Sequence, residues 1–185
     1  MAKEALDNAE WLCSLSDSLK QDIMGTMERV EAADGDCLLR EGQVVDKFII
    51  VESGLLKRTK AAGADEAPIE LDHIGPGKVT GFLHVVGHQD DDHAFANVIA
   101  DKDTSVWIVK GVDFRTIMED PKHSAEMMNM LTKILRQATK LVRATLREAN
   151  GATSANAGVG KKVLKIMCYD ATSWVREVRS ASFSV

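Results

Sequence analysis

The sequence predicts a mainly β domain with flanking helices: helices first, then an antiparallel barrel or jelly roll, then a long C-terminal helix. Three observations predict it. Apolar residues recur at helical spacing up to about Arg29; short apolar runs broken by glycine fill the stretch from Asp34 to Val109; a helical period returns after Asp120.

Each element has its own signal. Leu6, Trp11 and Leu12 form one apolar group, and Leu19, Ile23, Met24 and Met27 form a second at helical spacing. Between them, Ser16-Asp17-Ser18 offers capping oxygens for the second helix. The period then changes. Asp34-Gly35-Asp36, Glu41-Gly42, Ser53-Gly54 and Gly75-Pro76-Gly77 are turn signals. Cys37 to Leu39, Phe48 to Val51, Leu55 to Thr59, Ile69 to Ile74, Val98 to Ala100 and Val106 to Val109 are the strand-like runs they separate. Asp120-Pro121 reads as a capping residue followed by a proline in the first helical turn. Met127, Met128, Leu131, Ile134, Leu135, Ala138, Leu141, Val142 and Leu146 then make an apolar stripe, with Lys133, Arg136, Lys140, Arg143 and Arg147 on the other face. The expected organisation is N-terminal helices over 1–33, a barrel over 34–111, C-terminal helices over 112–150, a linker over 151–160 and a tail segment over 161–185.

Composition narrows the functional classes. The 185 residues are 45% hydrophobic and 28% charged, enough apolar material for one core. The net charge of −5 gives no electrostatic support to a general nucleic-acid role. No apolar run of about 18 residues is present, so no membrane-spanning helix is expected. Met1-Ala2-Lys3-Glu4 lacks the apolar stretch of a secretory signal. Cys13, Cys37 and Cys168 are scattered, which argues against a disulfide framework or a zinc site. A soluble, intracellular protein is expected, in the cytoplasm or an organelle.

Helices, short strands and a long helix in this order, with glycines in particular places, resemble the cyclic-nucleotide-binding domain family. The matching stretches are Glu4-Ala5-Leu6 through Leu15, Gly35-Asp36 with Gly42, Phe48-Ile49-Ile50-Val51-Glu52-Ser53-Gly54, Leu71 with Ile74-Gly75-Pro76-Gly77, and Asp113-Phe114-Arg115. They cover roughly Lys3 to Asn150. In that family a short helix follows a turn of pattern F-G-E-x-A-L, and its N-terminal amides hold the cyclic phosphate. The Glu of that pattern accepts from the ribose hydroxyl, and an Arg about ten residues later neutralises the phosphate.

The resemblance places the nucleotide pocket at Gly81, Phe82, Leu83, His84, Val85, His93 and Ala94. Gly81 fits. Phe82 stands at the Glu position, and Ala94, or His93 in a shifted register, stands at the Arg position. No Arg or Lys lies between Lys78 and Lys102, whereas Asp90, Asp91 and Asp92 do. Loss of a charge-assisted contact of this kind costs about 2–5 kcal/mol, so cAMP or cGMP is disfavoured and no cofactor is expected. Two readings stay open: Phe82 fills the old pocket and the barrel survives as a scaffold, or the pocket is rebuilt as a sensor for another ligand.

Other chemistry is sparse. His84, His88 and His93 lie near the three aspartates, which suggests a remote cupin-like metal site. No nucleophile elbow, Walker loop or H-E-x-x-H motif is present, so an enzyme is not expected. About 35 residues follow Asn150, so no output domain is expected within the chain. A protein partner is expected instead, reached through the C-terminal helix from Met127 to Leu146 and the tail from Lys161 to Val185.

Overall fold

A computed structural model describes residues 1–62, 66–86 and 93–151. It divides into two compact units, Met1–Met130 and Leu131–Val185.

The first unit opens with helix α1 (Ala2–Asn8), a single 3-10 turn (Trp11–Ser14) and helix α2 (Asp17–Met24). Ser16 caps α2: its hydroxyl accepts from the Leu19 N–H at 3.3 Å. Helix stops at Met24, not at the expected Arg29. Met27–Ala32 is strand β1, paired antiparallel with strand β8 (Thr104–Lys110), so Arg29 lies opposite Trp107. The pairing partner, distant in sequence, decides the conformation of a stretch that reads locally as helix.

Among the described residues, eight strands form two four-stranded antiparallel sheets, the jelly roll that the turn spacing predicts. The remaining strands are β2 (Cys37–Leu39), β3 (Lys47–Ser53), β4 (Leu56–Lys60), β5 (Ile69–Ile74), β6 (Val79–Thr80) and β7 (Asn97–Ala100). One sheet runs β1-β8-β3-β6, the other β2-β7-β4-β5. Between them lies the barrel core of Ala32, Leu39, Val45, Ile49, Val51, Leu56, Ile74, Ala94, Val98, Ala100 and Val106.

Strand β3 explains where the helices go. Phe48 to Val51 are all buried, the mark of a strand covered on both faces. Ile49 and Val51 point into the barrel, so Phe48 and Ile50 point out of it. Helices α1, α3 (Phe82–Val86) and α4 (Gly111–Glu119) pack on that outer face of β3 and β8.

After α4, Pro121 to His123 form a turn, and helix α5 starts at Ser124 instead of at Pro121. Asp120 still acts as a cap-like acceptor, its carboxylate taking the Lys122 N–H at 3.0 Å. His123 is buried and shares the Asp22 carboxylate with Lys122, at 2.8 and 2.7 Å. Lys122 first, then His123, holds Asp22 below the usual carboxylate range. Glu126 accepts from both the Ser16 amide and, at 2.7 Å, its hydroxyl. These contacts tie the first turn of α5 to α2.

Helix α5 runs from Ser124 to Gly151, so the second unit, as described, is the remainder of this helix. The linker and tail expected over 151–160 and 161–185 lie, from residue 152 on, outside the described residues.

Candidate functional site

The site expected at Gly81 to Ala94 is entered from β6 and left into β7. Strand β6 pairs with β3, Thr80 opposite Ile49, and this pairing brings residue 81 directly over the β3 backbone. Gly81 has φ +80°, and a Cβ there would lie 2.7 Å from the Lys47 carbonyl oxygen. Only glycine fits both the dihedral and the space. The chain then turns into α3.

Phe82, the first residue of α3, is 2% exposed. Its ring sits 5.2 Å from Phe48, 5.5 Å from Phe114 and 5.9 Å from Trp11, and Phe48 and Phe114 are themselves 5.1 Å apart. The three phenylalanines meet edge to face, the favoured aromatic geometry. Phe48 belongs to the helix-covered face of its sheet, so the Phe82 ring lies on that side and is not part of the barrel core. The reading in which Phe82 fills the barrel pocket is therefore corrected. Three aromatic partners outside the barrel hold the ring there and leave it almost wholly buried. Val85 is fully buried, while Leu83 and His84 are half-buried.

At the far end of the segment, the β2–β3 turn holds Ala94. The Gly42 N–H donates to the Ala94 carbonyl, and the Ala94 N–H donates to the Gln43 carbonyl, both at 2.8 Å. His93 is exposed and bridges Val44. The Ala94 methyl is buried in the barrel core. Val45 belongs to the same core and would lie 3.4 Å from a Cβ on Gly81, so it joins the two ends of the segment. Beside Ala94 is a cleft of about 60 Å³, lined by Leu38, Arg40, Gln43, Val44 and Lys47 among others. Ligand pockets run to roughly 300–1,000 Å³.

Cations do approach this end of the barrel, though the sequence reading did not single them out. Arg58 and Lys60 on β4 each sit 5.9 Å from the centre of the Phe95 ring. The Lys60 ammonium also donates to the Phe95 carbonyl at 2.6 Å and pairs with Glu41 at 3.1 Å. Arg58 makes a two-pronged pair with Asp72. Burial works to raise the Glu41 pKa, but the Ala61 N–H and Lys60 outweigh it and hold the carboxyl below its ordinary value. Each cation is thus already matched by a carboxylate. The available signal was two basic residues two apart on a strand, beside an aromatic residue at the segment's exit.

Metal chemistry finds no support among the described residues, which contain no group of three or more His, Cys, Asp or Glu placed to hold an ion. His88 and Asp90 to Asp92 lie outside the described residues. Cys13 and Cys37 are free and exposed. Among the described residues, no helix is long and apolar enough to cross a membrane.

Comparison with known proteins agrees with this architecture. Residues 29–120 match the family profile described as a cyclic nucleotide-binding domain. Among solved structures, the regulatory domain of Toxoplasma gondii PKA with cAMP is 22% identical with a TM-score of 0.58, over 72% of this chain and 49% of that one. The chain therefore spans about half of that relative. The N-terminal domain of a transcriptional regulator from Streptomyces coelicolor is 20% identical with a TM-score of 0.63, over 74% of this chain and 94% of that one. A cAMP-binding acyltransferase from Mycobacterium smegmatis is 26% identical with a TM-score of 0.55, over 76% of this chain and 41% of that one.

Proposed function

This chain is a member of the cyclic nucleotide-binding domain family over residues 29–120, and from that premise we propose that it is a non-enzymatic interaction module that does not hold a cyclic nucleotide. It acts as a subunit of a larger assembly, meeting a protein partner through the helix from Met127 to Leu146 and the segment from Lys161 to Val185.

One observation supports the reading: the two side chains at the positions that the family resemblance assigns to ligand recognition are both spent on the protein's own cores. Phe82 is buried in an aromatic cluster outside the barrel, and Ala94 is a methyl group inside it. Neither can accept from a ribose hydroxyl or neutralise a phosphate, and a desolvated phosphate without a countercharge is costly. Arg58 and Lys60 do not replace the missing cation, because Asp72 and Glu41 already neutralise them. Nothing of the mycobacterial protein's acyl transfer is carried over, since the likeness spans 41% of its length.

Calorimetric titration with cAMP and cGMP up to millimolar concentration tests the reading. No saturable heat is expected. Saturation in the micromolar range would sink it and make the chain a sensor.

A further inference from the structure

Helix α5 carries an uncommon charge distribution for a chain of net charge −5. From Met127 to Arg147 there are five basic residues and no Asp or Glu. Four of them, Lys133, Arg136, Lys140 and Arg143, are described and exposed. Among the described residues none of the four pairs with a carboxylate. Elsewhere in the chain cations are routinely matched, as with Lys20 and Asp7, Arg29 and Glu52, or Lys57 and Asp101.

Their spacing is 3, 4 and 3 residues. On a helix this draws them into one ridge about 15 Å long, at about 1.5 Å per residue. At about 100° per residue, the ridge is centred roughly 170° around the axis from Met127, Met130, Leu131, Ile134 and Leu135. Among the described side chains of this helix, those five are the buried and half-buried apolar ones. The cationic surface is therefore separate from the apolar one.

We propose that this ridge is a docking surface for an acidic helical segment of a partner protein. The proposal rests on the interaction-module reading and names the chemistry of the partner. The alternation of 3 and 4, which Arg147 continues in the sequence, averages 3.5 residues, the period at which a second helix laid alongside presents its own side chains. A partner helix with Asp or Glu at the same spacing meets each cation in turn. A lipid surface fits less well: interfacial helices bury their apolar face with cations at its flanks, whereas here apolar and basic faces point opposite ways. A nucleic acid duplex fits less well too: it extends well beyond a ridge of about 15 Å, and the chain's net charge of −5 gives it no general attraction.

The test uses the full chain and three defined probes. These are a helical peptide of about three heptads with Glu at 3-4 spacing, a DNA duplex, and vesicles of phosphatidylcholine and phosphatidylserine. Fluorescence anisotropy at low salt should show saturable binding of the peptide, weakening as salt rises. The double reversal Lys133→Glu with Lys140→Glu should weaken it by about tenfold or more. Lys102→Glu, an exposed lysine elsewhere, should leave it unchanged, as should Lys133→Arg with Lys140→Arg. Circular dichroism of each variant checks that the helix persists. If the reversal lowers helicity, the neutral pair Lys133→Gln with Lys140→Gln must still weaken binding. Absence of peptide binding, indifference to the charge changes, or tighter binding of DNA or vesicles overturns the proposal. Nucleotide binding by the barrel would instead overturn the interaction-module reading while leaving the peptide result as it stands.

Discussion

Gly81 and Ala94 stand at the two ends of one segment and differ in what the fold asks of them. Gly81 is demanded by the backbone: its φ is +80°, and the Lys47 carbonyl leaves no room for a Cβ. Ala94 is demanded by nothing in the backbone; its N–H and carbonyl bonds to the β2–β3 turn are open to any residue except proline at the N–H. The difference separates two kinds of requirement. Barrel closure needs the glycine whether or not a ligand binds, whereas a guanidinium is needed only to hold an anion. Phe82 belongs with Ala94: its side chain serves the helix-side core. On the function proposed above, this family member keeps the frame and drops the chemistry.

Three substitutions sharpen that contrast through denaturation. Phe82→Ala should have the largest effect, about 3–5 kcal/mol, because it empties the centre of a buried aromatic cluster. A loss below about 1 kcal/mol would mean that the ring is not the anchor of α3. Gly81→Ala should follow at about 2–4 kcal/mol, from left-handed backbone strain plus the clash with the Lys47 carbonyl. Ala94→Arg should cost about 1–3 kcal/mol by overpacking a cleft of about 60 Å³. If Ala94→Arg instead proves neutral and confers nucleotide binding, the segment retains a pocket that lacks only its cation.

The frame was far more legible in the sequence than the site. Glycine turns fix the strand boundaries locally, and Ser16 caps the helix it precedes, so short-range chemistry suffices. Gly54 is a further case: its φ is +90°, and a Cβ would come within 2.7 Å of the Thr104 backbone. The start of Met27 to Ala32 reads as helix because Met27 continues a helical stripe, while its strand character comes from β8, far along the chain. The proposed loss of the Glu and the Arg rests on residue identity at Phe82 and Ala94. The side on which Phe82 is buried was not legible in the sequence, because it depends on Phe48, Phe114 and Trp11 converging from separate elements. The matched cations on Phe95 were hidden for the same reason.

The smallest expected effect concerns the outer face of the β1-β8-β3 sheet, away from the segment. Glu52 accepts from the Arg29 guanidinium at 2.7 Å and from the Trp107 indole N–H at 3.0 Å. Burial raises the Glu52 pKa, but those two donors outweigh it and leave the carboxyl below its ordinary value. A carboxyl depressed in the folded state contributes stability that is complete above its unfolded-state value, about 4.3 for Glu. That contribution is lost as pH falls through the lower folded-state value. Stability should therefore decline on acidification below about pH 4.3. Glu52→Gln should flatten part of this decline in denaturation midpoints measured across the acid range. Because Arg29 also pairs with Glu31, the guanidinium keeps one partner in that variant, and the loss at neutral pH should be modest. An unchanged acid slope would mean that Glu52 titrates alike in both states and that the Arg29 pair contributes nothing to the pH dependence.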